Sequence, residues 1–288
     1  KYLDLSVLLC VGVFITLDFL WEVYLFLGLK NFMLSVGSLL TAVLLSWLTS
    51  ELGDVPRYTK FDPHFRDSAL KRGVELLKEL HECGTYDRVV VVAHSLGTVV
   101  GYELIGEFWK YLLETPGSGE PTPLFNELAD AKGKYLDPDS IPELWKACRK
   151  TGFPWLITDF ITLGSPLTDA EAFLADCHGD FERMRSIENT LPQCPPIGPP
   201  VNQKNWKTMS PFGITRWTNL YFGGNTYFFG DPVGGPLAGN FGKGVQDKPL
   251  AGRWGPKHNM YWRDEDAKRE LLDALDLVGD DGKRLSIS

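Results

Sequence analysis

The sequence predicts an α/β fold, a mostly parallel sheet flanked by helices, and three stretches carry that expectation. Val89-Val90-Val91-Val92 is an unbroken β-branched run with no alternation toward solvent, the pattern of a central parallel strand covered on both faces. It passes through Ala93-His94-Ser95-Leu96-Gly97 into a segment of helical periodicity, so strand, sharp turn and helix follow one another directly. Leu156 to Leu163 and Arg216 to Phe222 supply further strands, the first ending at Gly164-Ser165-Pro166, where proline stops sheet pairing.

The elements between them are read in order. Residues 1–50 form an apolar helical region: residues 5–29 are interrupted only by Asp18 and Glu22, residues 32–48 hold no charge, and Gly28 to Asn31 makes the turn of a hairpin. Two short membrane-crossing helices fit this pattern, with Trp21, Tyr24 and Trp47 at an interface; buried or monotopic helices fit it as well. Residues 51–288 form the soluble domain. Leu70, Val74, Leu77 and Leu80 recur at helical spacing in a helix from Phe65 to Cys83, with Gly84 as its stop. A second helix runs from Ser95 to about Leu113. Insertions fall at about 115–154, with a short helix from Ile141 to Arg149, and at about 178–215, a proline-rich loop. A last helix spans 264–278, with Asp264, Glu265 and Asp266 placed favourably at its start.

Composition narrows the function classes. A formal net charge of -8, without a basic run to neutralise successive phosphates, argues against nucleic-acid binding. The 5 cysteines are odd in number and include no Cys-x-x-Cys pair, so neither a disulfide framework nor a structural zinc is indicated. Gly230 to Pro236 is glycine-rich but lacks the Lys and Ser/Thr of a phosphate loop. No cofactor and no metal is expected.

The turn at Ser95 points instead to nucleophilic chemistry. A tight strand-to-helix elbow lifts the serine hydroxyl to the carboxyl end of the sheet, and small residues at Ala93 and Gly97 are expected to relieve crowding between them. Together with Gly53-Asp54-Val55 and Tyr58, Leu163-Gly164-Ser165-Pro166-Leu167, Asp231-Pro232-Val233 and His258-Asn259-Met260-Tyr261-Trp262, this elbow resembles the α/β-hydrolase superfamily. The likeness is to bacterial membrane-associated serine hydrolases of the lipase-like branch, where Gly-x-Ser-x-Gly marks the nucleophile; Ala93 stands at its first glycine.

The resemblance implies Ser95 as nucleophile and the chain order nucleophile, acid, histidine. Of the 5 histidines, His64 and His81 precede Ser95, His94 abuts it and His178 follows too early, which leaves His258 as the base. Asp231, after the strand ending at Phe222, is the expected acid, and Asp169, shortly after Gly164-Ser165-Pro166, is the alternative. The Leu96 backbone N–H is the first oxyanion donor. No His-Gly-x-Gly loop is visible for a second, so either the early strands precede this sequence or the fold is trimmed and rearranged. His94, Gly164, Ser165 and Pro166 are expected on the rim of the cleft. The implied activity is hydrolysis of an ester of a lipid or other apolar acyl group, at a membrane and with the catalytic domain on the cytoplasmic side. A transacylase or thioesterase using the same residues, or a tethered scaffold without turnover, are the alternatives.

Overall fold

Burial of alternate residues on both faces of parallel strands organises the structure, a computed structural model that describes residues 20–21, 63–175, 179–188, 190–199, 206–224, 229–251 and 255–276. The chain divides into two units, Lys1–Pro63 and His64–Ser288. Of the expected apolar hairpin, only Leu20 and Trp21 are described, and both are helical. The rest of it, and the block from Gly53 to Tyr58, lie outside the described residues. Among the described residues no helix is long and apolar enough to cross a membrane.

The second unit is built on a 4-stranded sheet in the order β1-β2-β3-β5, parallel throughout: β1 Val89–His94, β2 Ile157–Leu163, β3 Arg216–Phe222 and β5 Val245–Leu250. Two short strands, β4 Phe229–Gly230 and β6 Gly255–Pro256, pair beside it. Strands β2 and β3 have neighbours on both sides and are the most deeply buried. Among the described residues the valine strand is not central: β1 pairs with β2 alone, and Val92 is 37% exposed. Strand β5 escapes the sequence reading, because Val-Gln-Asp-Lys-Pro-Leu mixes charge and proline in the manner of an edge strand.

Side chains of β2 and β3 that share register share a face. Phe160 pairs with Trp217 and points toward α2, Leu96–Glu114, where Tyr102 and Phe212 complete an aromatic cluster. Ile161, Leu163, Leu220 and Phe222 face the other way, toward Tyr261 and α5, Glu265–Leu275. Helices thus cover both faces, as a parallel sheet requires. Helix α1, Pro63–Glu82, closes on α2 where Gly73 meets Leu104. The first insertion carries the expected short helix, here α4, Ile141–Lys150, and before it α3, Thr122–Ala131. The second carries short turns at Asp180–Glu182, Arg183–Glu188 and Pro211–Gly213.

Candidate active site

The elbow begins as an extension of the sheet. Ser95 N–H donates to Leu163 O at 3.0 Å, prolonging the β1–β2 ladder by one bond, and the chain then enters α2 at Leu96. To make both connections Ser95 adopts φ 53° and ψ -132°, a conformation that costs a non-glycine residue on the order of 1–3 kcal/mol. Its carbonyl is tied down in return, accepting from Thr98 N–H at 2.9 Å and from Thr98 Oγ1–H at 2.7 Å.

The expected crowding between Ala93 and Gly97 is not what keeps this turn small. A Cβ on Gly97 would meet nothing among the described residues within 4 Å. The close approach lies one helical turn further on: a Cβ on Gly101 would fall 2.9 Å from the Phe160 ring and 3.6 Å from Ala93 Cβ. Seating α2 against β1 and β2, and so fixing the height of Ser95, depends on that second glycine.

The small β4–β6 pairing brings the remaining two groups together. Phe229 pairs with Gly255 and Gly230 with Pro256, and Lys257 N–H donates to Gly230 O at 3.0 Å, so the chain emerges side by side at Asp231 and His258. A turn closed by Met260 N–H to Lys257 O at 2.9 Å then aims the imidazole inward. His258 Nδ1 stands 2.9 Å from Asp231 Oδ1, and His258 Nε2 stands 2.8 Å from Ser95 Oγ. The carboxylate can only accept, so Nδ1 carries a proton, and a ring protonated there alone offers a bare Nε2 to the serine hydroxyl. Asp231 is fully buried and His258 nearly so, whereas Ser95 is half-buried.

Electrostatics favour an ionised Asp231. Burial pushes the Asp231 carboxyl up, but the His258 hydrogen bond and charge, the Tyr261 hydroxyl and the Val233 amide together hold it below the ordinary carboxylate range. Val233 N–H donates to Oδ1 at 2.8 Å and Tyr261 O–H to Oδ2 at 2.7 Å. Gly164 forms the seat of this pair. Its φ is +55°, and a Cβ there would lie 2.6 Å from Asp231 Oδ2, 2.7 Å from Tyr261 Cε2 and 3.2 Å from His258 Nδ1.

The structure therefore brings Ser95, His258 and Asp231 into one hydrogen-bonded row. Asp169 is exposed at the end of the short helical turn Pro166–Asp169, and the His258 Nδ1 bond goes to Asp231. Leu96 opens α2, where first-turn N–H groups have no intrahelical acceptor. The expected cleft rim differs: Gly164, Ser165 and Pro166 are buried, with Gly164 against Asp231 and the His258 ring and Ser165 bonded to Thr98. His94 is half-buried and donates from Nε2 to His258 O at 2.7 Å, its ring centroid 5.0 Å from that of His258. Lys257 is nearly buried, 3.5 Å from Asp264 at the head of α5, which tethers the histidine turn.

Sequence reasoning misses Thr98, Gly101 and Tyr261 as parts of this assembly. Tyr261 alone carries a local signal, a buried-type aromatic three residues after His258. Among the described residues no group of His, Cys, Asp and Glu could hold a metal ion, and Cys83, Cys148 and Cys194 are free thiols. Comparison of the chain with protein-family models, with curated proteins and with solved structures finds no match. Geometry carries the functional reading. A hydroxyl within reach of an imidazole that is itself held by a buried carboxylate can surrender its proton to the ring as the oxygen attacks an electrophile.

Proposed function

We propose that this chain is a serine hydrolase of α/β-hydrolase type, acting on an ester of a lipid or other apolar acyl group. The observation that carries the reading is the continuous row Ser95 Oγ, His258 Nε2, His258 Nδ1, Asp231 Oδ1, with spacings of 2.8 and 2.9 Å. Ser95 Oγ bonds to the acyl carbon while its proton passes to His258 Nε2, and Asp231 stabilises the imidazolium. The Leu96 N–H, at the positive end of α2, is the donor nearest the developing oxyanion. Collapse breaks the ester C–O bond, and His258 returns the proton to the departing alcohol. Water then attacks the acyl-enzyme with the same base, releasing the acid and restoring Ser95.

The strained backbone at Ser95 supports the same reading, since such conformations cluster at reactive turns. The ester preference rests on the uncharged run of residues 32–48, which suits an anchor close to an apolar substrate supply. Fluorophosphonate labelling tests the chemistry: wild type should be labelled, and Ser95→Ala should abolish the label and lower turnover of short- and long-chain esters at least about 1,000-fold. Undiminished labelling of Ser95→Ala would sink the assignment. Retention in the membrane fraction after a carbonate wash is the expected result for an integral anchor.

A further inference from the structure

We infer that Tyr261 is a positioning residue for Asp231, and that the turn from His258 to Tyr261 grips the carboxylate at both oxygens. The inference rests on the proposed reading of Asp231 and His258 as acid and base. One turn supplies two donors: His258 Nδ1–H to Oδ1 at 2.9 Å and Tyr261 O–H to Oδ2 at 2.7 Å. Tyr261 is fully buried, with its ring in the apolar cluster of Leu163, Leu220 and Phe222. Phenylalanine would fill that volume equally well, so packing does not account for the hydroxyl. Its burial is balanced by two bonds, the one donated to Asp231 and one accepted from Phe222 N–H at 3.2 Å.

That second bond gives the grip its direction. Phe222 is the last residue of β3, so the phenol oxygen is fixed to the sheet and cannot follow the carboxylate if it rotates. Asp231 Oδ2 is held against the sheet and Oδ1 is left to face His258. Burial and the adjacent carboxylate push the Tyr261 phenol far above its ordinary pKa, which keeps the proton on the hydroxyl. Tyr261 also draws charge from Oδ2, charge that would otherwise stabilise the imidazolium across the same carboxylate.

The groups facing this assembly are Ser95 from the elbow, His94 from β1, with its ring centroid 5.0 Å from His258 and 5.7 Å from Tyr261, and Lys257, which is paired with Asp264. The hydroxyl's effect must therefore be read at the His258 ring itself.

The test is an NMR titration of the His258 ring in the full chain, assigned by the signal lost in His258→Gln. Tyr261→Phe should raise the ring's pKa by about half a unit or more, because Oδ2 keeps charge that the phenol now draws off. Site-specific meta-fluorotyrosine at 261, a stronger donor of nearly the same shape, should lower it. In ester hydrolysis Tyr261→Phe should reduce kcat about tenfold with KM little changed, since the carboxylate loses orientation while the substrate site is untouched. A ring that titrates alike in wild type and both variants would overturn the inference and leave Tyr261 a packing residue. If Tyr261→Phe does not fold, the fluorotyrosine protein decides alone by the sign of its shift. The titration needs no turnover, so a wild type that neither hydrolyses esters nor takes the label would defeat the proposed reaction while Tyr261 was still judged.

Discussion

The Thr98 hydroxyl donates to the carbonyl oxygen of Ser95 at 2.7 Å, and this one bond fixes the direction of a buried chain behind the elbow. Thr98 has a single hydroxyl proton and spends it on Ser95, so Ser165 Oγ, 2.7 Å away, must donate to Thr98. Ser165 in turn accepts from Leu167 N–H at 3.2 Å. The order Leu167, Ser165, Thr98, Ser95 links the carboxyl end of β2 to the strained residue, with Ser165 as a relay inside the protein.

Thr98→Val should cut kcat about tenfold and destabilise the fold by roughly 1–3 kcal/mol, because the Ser165 hydroxyl loses its acceptor and the Ser95 carbonyl one of two donors. Thr98→Ser should restore both. Ser165→Ala should keep turnover within about tenfold of wild type, equivalent to about 1.4 kcal/mol in barrier. Steady-state kinetics with urea melts on the three variants check this. A Ser165→Ala defect as deep as that of Ser95→Ala would make Ser165 part of the chemistry.

Local pattern explains what was legible in the sequence. The valine run, the helix periodicity after Ser95 and the aromatic strand Arg216–Phe222 announce themselves because each element's own residues favour it. Ser95, Asp231 and His258 stand out because the proposed chemistry restricts residue type and chain order. Thr98, Gly101 and Tyr261 do not, since each matters through partners far away in sequence: Ser165, Phe160 and Asp231. Strand β5 is hidden for the same reason. Its Asp247 is a polar interruption in the sequence, yet in the fold it accepts from Asn219 Nδ2 at 2.7 Å and from the Leu237 and Ala238 amides, pinning the far end of the loop that carries Asp231.

The two glycines near the elbow should respond oppositely to alanine. Gly164→Ala adds a Cβ 2.6 Å from Asp231 Oδ2 at a φ of +55°. Left-handed strain and overpacking together should cost about 2–5 kcal/mol, and displacement of the acid should lower kcat about 100-fold. Gly97→Ala meets open space among the described residues, and as a helical position should leave stability unchanged or raise it by up to about 1 kcal/mol. Denaturant melts of the pair decide the matter. Equal losses would mean that the crowding lies at Gly97 after all.

The fold should also carry an acid-sensitive joint away from the site, at His81. Its Nδ1–H donates to Leu77 O at 2.6 Å and its Nε2 accepts from Leu156 N–H at 3.0 Å, joining the end of α1 to the residue before β2. The bond from Leu156 requires the neutral ring, since a proton on Nε2 would face the Leu156 amide, whereas the Nδ1–H bond to Leu77 survives protonation. Burial is the main reason its pKa falls from 6.5 to about 4. Between those values the unfolded chain binds more protons than the folded one, so stability rises with pH across the window. The contribution is fully present above about 6.5 and is lost as pH falls toward 4, by at most about 3 kcal/mol, a figure that partial exposure reduces. Urea midpoints measured from pH 7 down to about 4.5 should therefore fall more steeply for wild type than for His81→Gln, which keeps a donor and an acceptor but does not titrate. Parallel curves would show that His81 titrates alike in the folded and unfolded states, and that the joint adds nothing to acid sensitivity.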